Sequence, residues 1–396
     1  MWTRLLQGLA AAFNQLSDVE VMKKIAFVVK ANQRVCTTLG HNYYIQLGRV
    51  YNDLMQLYTA YSQFLGSELA TRGKVIVSHA YFKSARAVRR EILSLLQTYV
   101  AVCQAPSILV EHFVPNIMQT ILSDFISSAE ETREAEVISL TTECTAKLKD
   151  QLMVYGEMLL GPFLDTILGM IARDFHAYPE HRSNFFDYVK ALSLHCFQAL
   201  LQLPVERFKI MLDSILWAAR HQHPGMAETG LITMTALLEN LQKTGLAGSF
   251  YQHFYLYILG EVFAMMTDGV HLSNFKHHCH ILRHLFQLVE ENALPAALQE
   301  GSGNKEFVLN HLAQLFSVNF TNMNRVQVEG ILLGMFNKCR EKERFKQGMR
   351  DFLISCKEVA NDNEALYAEE RQSELEQARE LDRQRRLQVP GLMPQY

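Results

Sequence analysis

Residues 41–68 read HNYYIQLGRVYNDLMQLYTAYSQFLGSE, with Tyr44, Leu47, Tyr51, Leu54, Leu57, Tyr58, Tyr61 and Leu65 at steps of three and four. Such steps gather side chains on one face of a helix, whereas a half-buried strand needs steps of two. The spacing recurs along the chain: Ile92, Leu95, Leu96, Tyr99 and Val100; then Leu164, Ile167, Leu168 and Ile171; then Phe186, Val189, Leu192 and Leu194. Alternation of the β type is nearly absent. The chain is therefore read as all-α.

The prolines punctuate these runs. Pro106, Pro179, Pro204 and Pro224 each precede one, where a missing N–H is tolerated in the first helical turn. Pro115 and Pro162 lie within runs and are expected at kinks or early turns. Pairing consecutive helices gives units that begin near residues 41, 106, 152, 204, 247 and 304. Their lengths scatter around the roughly 40–47 residues of a HEAT-type helix pair. Each pair has an apolar face that it buries only by stacking on its neighbours, so the expected architecture is an α-solenoid of HEAT-like helix pairs. Residues 1–40 read as the end of a preceding repeat, 41–361 as the repeat domain, and 362–396 as a charged helix and tail. The chain thus looks as if it starts in mid-array, with an uncapped end.

The last segment differs in kind. Residues 362–387 hold eight acids and five arginines, with Leu366, Leu375 and Leu381 as a thin apolar stripe. This predicts a long, mostly solvated helix, acidic first and basic last, an order that complements its macrodipole. Val389-Pro390-Gly391 stops it.

Composition narrows the function classes. Apolar residues make up 49% and charged residues 20%, which suits a folded protein and is too apolar for a disordered one. A net charge of −3 gives no strong field toward nucleic acid or a membrane surface. No window of about 18 uncharged apolar residues is present to suggest a membrane span, and the N-terminus lacks the pattern of a signal peptide. The seven cysteines are scattered and never spaced C-x-x-C, so they read as free thiols of a reducing compartment. Asn319-Phe320-Thr321 fits a glycosylation acceptor, a chance match for such a protein.

No catalytic or cofactor motif emerges, and no cofactor is expected. Gly301-Ser302-Gly303-Asn304-Lys305 lacks phosphate-loop spacing and follows no strand, so it reads as a polar loop. There is neither a G-x-S-x-G nor an H-E-x-x-H. His271, His277, His278, Cys279, His280 and His284 cluster in sequence. Only His280 and His284 share a helix face at i,i+4, and the others fan around it, so no metal site is assigned. Lys83, Arg86, Arg89 and Arg90 form a basic patch beside Glu91. It is either a solvated face with ion pairs along the helix or a contact for an acidic partner. Phe185, Phe186 and Trp217 are read as core.

Several stretches go beyond generic helical patterning. They include Gly40-His41 with IQLGR at 45–49, HFVP at 112–115, YPEHRSNFF at 178–186 and HCF at 195–197. Further on come LDSI at 212–215, SFYQ at 249–252, LVEE at 288–291, RDFL at 350–353, EER at 369–371 and VPG at 389–391. Collinear over residues 18–391, they make the chain similar to the C-terminal part of the exportin-1 family of nuclear export receptors, in the karyopherin superfamily. The resemblance implies a binding scaffold and not an enzyme. It implies Ran-GTP and nuclear pore proteins as partners, with export cargo held by a signal groove upstream of this chain, and no direct contact with nucleic acid or membrane. It also implies shuttling between nucleus and cytoplasm through the nuclear envelope. The C-terminal helix, with Glu369, Glu370, Arg383, Arg385 and Arg386, is implied to be regulatory. Its tail is less acidic than the family pattern. The alternative is a generic HEAT-repeat scaffold from a truncated or split paralogue.

Overall fold

The structure is a computed structural model that describes residues 17–173, 177–268, 273–320 and 325–356, together with position 379. Among them no strand occurs, and the protein is an all-α solenoid of helical repeats. The chain divides into two compact units, Met1–Asp213 and Ser214–Tyr396, a division inside the expected 41–361 repeat region. Residues 1–16 of the expected first segment, and the expected C-terminal helix apart from position 379, lie outside the described residues.

Unit 1 contains α1 (Val19–Leu39), α2 (Tyr44–Arg72), α3 (Ala80–Val102), a helical run α4 over 106–127, α5 (Ala135–Leu148), a helical run α6 over 156–171, and α7 (Pro179–His195). The helix α8 (Val205–Ala219) follows. Unit 2 contains α9 (Pro224–Leu241), α10 (Ala247–Thr267), α11 (Phe275–Glu290), α12 (Asn304–Asn319), α13 (Arg325–Lys338) and α14 (Lys342–Cys356).

Local chemistry sets the ends of these helices. Asp18 caps α1 by accepting from the backbone N–H groups of Glu20 and Val21, at 2.8 and 3.3 Å. Gly40 and Gly73 close α1 and α2 at φ of 58° and 67°, a left-handed region that costs glycine little. Pro106, Pro179 and Pro224 stand in first turns. Pro115 and Pro162 interrupt nothing. In α4, π-helical turns cover Leu109–Phe113 and Ile117–Leu122, on either side of Pro115, and in α6 Pro162 lies inside a π turn, Leu159–Phe163. A widened turn relieves the clash of the proline ring with the preceding carbonyls, so the helix continues through it.

Repetition shows in the hydrogen bonds between neighbouring pairs. Arg86 reaches Glu134 48 residues on, Asn184 reaches back 49 to Ala135, and Arg207 reaches back 42 to Asp165. In unit 2, Gln252 reaches Ala297, 45 residues away, and His277 reaches Glu228, 49 away. The first pair is longer: Tyr51 reaches Phe113 and Gln33 reaches Thr98 over 62 and 65 residues, because α2 alone has 29. Each repeat holds its neighbour at one repeat length, as a quasi-one-dimensional stack requires.

The stripe read from residues 41–68 is core: Leu47, Tyr51, Leu54, Leu57, Tyr58, Tyr61 and Leu65 are buried. Among the described residues one stretch, Ala135–Ile171, is long and apolar enough by composition to cross a membrane. It is broken at Lys149, whose φ is 53°, and Val137, Ile138, Leu140, Leu159 and Phe163 from it pack in the core of unit 1.

Candidate functional site

The four basic residues of α3 do not share one environment. Lys83 is exposed. Arg86 makes a two-pronged contact with Glu134, Nε to Oε1 and Nη2 to Oε2, both at 2.8 Å. Arg90 adds Nε to Oε2 at 2.9 Å. Arg89 is 1% exposed and lies 4.7 Å from the ring centre of Tyr58. It donates to the Tyr58 hydroxyl, to Asp124 and to the Thr132 carbonyl at 2.9, 2.8 and 3.0 Å. Asp124 also accepts from Tyr58, Ser62 and Ser128. Glu134 has no exposed surface. Burial alone would raise its carboxyl, but the hydrogen bonds of Arg86 and the charges of Arg86, Arg89 and Arg90 hold it below the usual value. Three of the four cations are thus engaged inside the fold. What faces outward is Lys83 and the outer edge of Arg90.

These contacts converge on the acidic connection 128–136, which the next repeat grips from its other side. Lys74 pairs with Glu131 at 2.6 Å, and Arg173 pairs with Glu130. Arg133 donates to the carbonyls of Phe125 and Ile126, closing the end of α4. The stretch 178–186 supplies the remainder. The hydroxyl of Tyr178 donates to Glu130 at 3.4 Å, the ring Nε2 of His181 lies 3.0 Å from the Arg133 carbonyl, and Asn184 donates to the Ala135 carbonyl at 2.9 Å. Arg182, 3% exposed, caps α6 through the Ile171 carbonyl. Tyr178 adopts φ 56°, a costly conformation for a side chain with a Cβ, with its ring edge against His181 at 5.5 Å. The motif that carries the family resemblance is a mechanical part. It locks one repeat to the connection of the one before.

A second feature is a polar groove of about 340 Å³ across α3, α5 and α7, lined by Gln97, Thr142, Glu143, Asp187, Lys190 and His195. Its mixed charge suits a wet protein–protein contact better than a small molecule.

The histidines of α11 diverge. His277 and His280 point to α9, 3.2 Å from Glu228 and Glu239, while His284 is turned inward. Among the described residues no group of three His, Cys, Asp or Glu side chains is placed to hold a metal ion. His271 lies outside them. All seven cysteines are free of disulfides, and burial pushes the thiols of Cys36, Cys144 and Cys196 up to about 11, 12 and 12. Such thiols are poor nucleophiles. Phe185 and Phe186 are core, and Trp217 is half-buried with its ring edge-on to His221. Glu369, Glu370, Arg383, Arg385 and Arg386 lie outside the described residues.

No sequence motif marks Glu134 or Asp124, or the contact of the stripe residue Tyr58 with Arg89. A signal was present: Arg89 stands seven residues after Phe82 and three before Ile92, inside the apolar stripe of α3, where a cation needs a buried partner.

Comparison with known proteins agrees with this picture. Residues 46–361 match the family model described as CRM1 C terminal. EXPORTIN 1B of Arabidopsis thaliana is 34% identical, Exportin-1 of Schizosaccharomyces pombe 30%, and Exportin-1 of Drosophila melanogaster 29%. Each alignment covers 99% of this chain and 37% of the relative, so the chain spans little more than a third of their length.

Proposed function

We propose that this chain, which belongs to the CRM1 C-terminal family, acts as the C-terminal arch of a nuclear export receptor. In this reading its repeats help to enclose Ran-GTP and touch nuclear pore proteins, the export signal is held by repeats upstream, and the assembly shuttles between nucleus and cytoplasm. The carrying observation is the collinear match to exportins over nearly the whole chain. The helix-pair architecture supports it, because a stack of repeats offers long surfaces to protein partners. The polar groove across α3, α5 and α7 is the surface we assign to such a partner, with Lys83 and the rim of Arg90 as a smaller acidic-partner contact. Residues 362–387 are assigned a regulatory role through Glu369, Glu370, Arg383, Arg385 and Arg386.

The test is binding to Ran loaded with a GTP analogue or with GDP, for the chain alone and joined to exportin repeats upstream. Weak affinity selective for the GTP form, rising when the upstream repeats are present, is expected. Binding of neither nucleotide form by the joined chain would end the transport reading. Deleting 362–387 from the joined chain should tighten Ran or cargo binding; unchanged affinity would leave that segment a solvated cap. The second reading is a generic HEAT-repeat scaffold with some other partner. An in-frame upstream continuation with exportin-like repeats would remove it.

A further inference from the structure

In unit 1, α1 packs along α3, α3 along α5 and α5 along α7, so α1 stands first in this row among the described residues. α3 is flanked on both sides and buries ten of its 23 residues. α1 buries only five of 21, Met22, Ile25, Val29, Asn32 and Cys36, which form one stripe at helical steps. A second stripe beside it is apolar and open. Phe27, Val35 and Leu39 are 73%, 43% and 48% exposed, and with Ala31 they follow at steps of four over about 18 Å. Exposed apolar residues scattered singly mean little, but a line of them along one helix face marks an interaction surface.

Charge decides what fits there. Lys24 stands one turn before Phe27 and Val28, and Arg34 one turn after Ala31. Both are exposed, and neither makes an ion pair among the described residues. Elsewhere in the row the earlier helix supplies the cation and the later one the acid: Lys30 of α1 meets Glu91 of α3, and Arg90 of α3 meets Glu136 of α5. A preceding helix built on that scheme would bring cations against Lys24 and Arg34. A second copy of α1 would bring the same two cations, and residues 1–16 hold no acid. The flank therefore calls for a helix of another kind, with carboxylates where this chain has none.

We propose that the outer flank of α1 docks an amphipathic helix of a separate partner protein, apolar along one face and acidic beside it. Lys24 and Arg34 lie ten residues apart, about 15 Å along the axis, so the partner's carboxylates stand about three turns apart. On the same partner face, apolar side chains one turn apart meet Phe27, Ala31, Val35 and Leu39, ridge into groove. The site is independent of the transport reading.

The probe is a fluorescent, cross-linked helical peptide of about four turns, with leucine at every turn of one face and glutamates flanking both ends of that face. Fluorescence anisotropy with the full chain should show one saturable site. The same peptide with lysine for glutamate should bind about tenfold more weakly. Val35→Glu should weaken binding of the glutamate peptide by at least about tenfold. The double variant Lys24→Glu/Arg34→Glu should reverse the preference between the two peptides, which a misfolded chain would not do. All three residues are exposed, so unchanged thermal midpoints will report folded variants. Benzoylphenylalanine in place of Phe27 should photo-cross-link to the glutamate peptide. The proposal is overturned if no saturable site is found, if both peptides bind the parent alike, if Val35→Glu binds as the parent does, or if the double variant keeps the parent's preference. It is overturned equally if the cross-link from position 27 forms to residues 1–16, to a second copy or, in the chain joined to exportin repeats, to those repeats.

Discussion

Units 1 and 2 are made of the same kind of helix pair, yet they fasten successive repeats with different chemistry. In unit 1 the connection 128–136 is held by charged and polar groups: Arg86, Arg89 and Arg90 from one side, Tyr178, His181 and Asn184 from the other. In unit 2 the cross-repeat ion pairs, such as His277–Glu228 and Lys305–Glu290, are partly exposed, and the buried contacts are largely aromatic rings. Phe263, Phe286, Phe316, Phe336, Phe345 and Phe352 form a linked cluster across α10 to α14, with centroid separations from 4.6 to 6.3 Å. Aromatic packing is strong but tolerates small rotations, whereas a two-pronged Arg–Glu contact fixes both distance and plane. Both units pack aromatic rings, but unit 1 adds buried ion pairs that fix an angle between repeats, whereas the ion pairs of unit 2 lie nearer the surface.

The sharpest way to break this contrast is Glu134→Ala. It strips Arg86 of its two-pronged partner, leaves Arg90 with only the longer contact to Glu136 at 3.6 Å, and takes a neighbouring carboxylate from Arg89. Removing one partner of a buried ion pair costs about 3–5 kcal/mol. Hydrogen exchange by mass spectrometry should show lost protection in peptides from 80–102 and 128–148, with those of 247–290 unchanged. A cost below about 1 kcal/mol by urea unfolding would mean the clamp is incidental to stability.

Glycine gives the matching probe in unit 2. A Cβ on Gly230 would sit 2.4 Å from the backbone nitrogen of Ala219, so α9 lies directly on the Ala218–Ala219 backbone. Gly230→Ala should cost about 1–3 kcal/mol through overpacking. Gly260→Ala, in α10 with nothing within 4 Å, should instead gain up to about 1 kcal/mol from helix propensity. Thermal midpoints of the two variants should move in opposite directions. Movement in the same direction would show that α9 can withdraw from the contact.

The two fastenings were not equally legible. Helices, their pairing and the buried face of 41–68 follow from spacings within a few residues, and those are local facts of sequence. The clamp joins residues 43 to 49 positions apart, and no local pattern states which face of α3 meets which connection. Hence the basic quartet resembled a surface stripe, although the position of Arg89 in the apolar stripe already pointed inward. The motif at 178–186 is distinctive in sequence, but its work lies in contacts with Glu130, Arg133 and Ala135, which are far from it along the chain. The π turns around Pro115 and Pro162 were hidden for another reason: sequence shows that a proline strains a helix, but not how the backbone relieves it.

The smallest effect concerns pH and again divides the units. His181 is 7% exposed and bonds through Nε2 to the Arg133 carbonyl. Burial pushes its pKa below the ordinary histidine value; the carbonyl bond and the charges of Glu134 and Glu180 oppose this, and Arg86 adds to it. The folded value therefore lies below the unfolded one of about 6.5, so the fold favours the neutral ring. Its contribution is fully present above about pH 6.5 and is lost as pH falls through the folded value. On acidification from about pH 7.5 to 5.5, protection of amides in 128–136 should fall after correction for intrinsic exchange. In His181→Gln that pH-dependent part should vanish. Unit 2 has its own inward-turned histidine, the half-buried His284, lowered likewise by desolvation, so peptides over 275–290 should lose protection in both proteins. Loss at 128–136 that persists in His181→Gln would assign the response to the carboxylates of the connection. Loss that disappears from both units at once would show that the two fastenings are coupled.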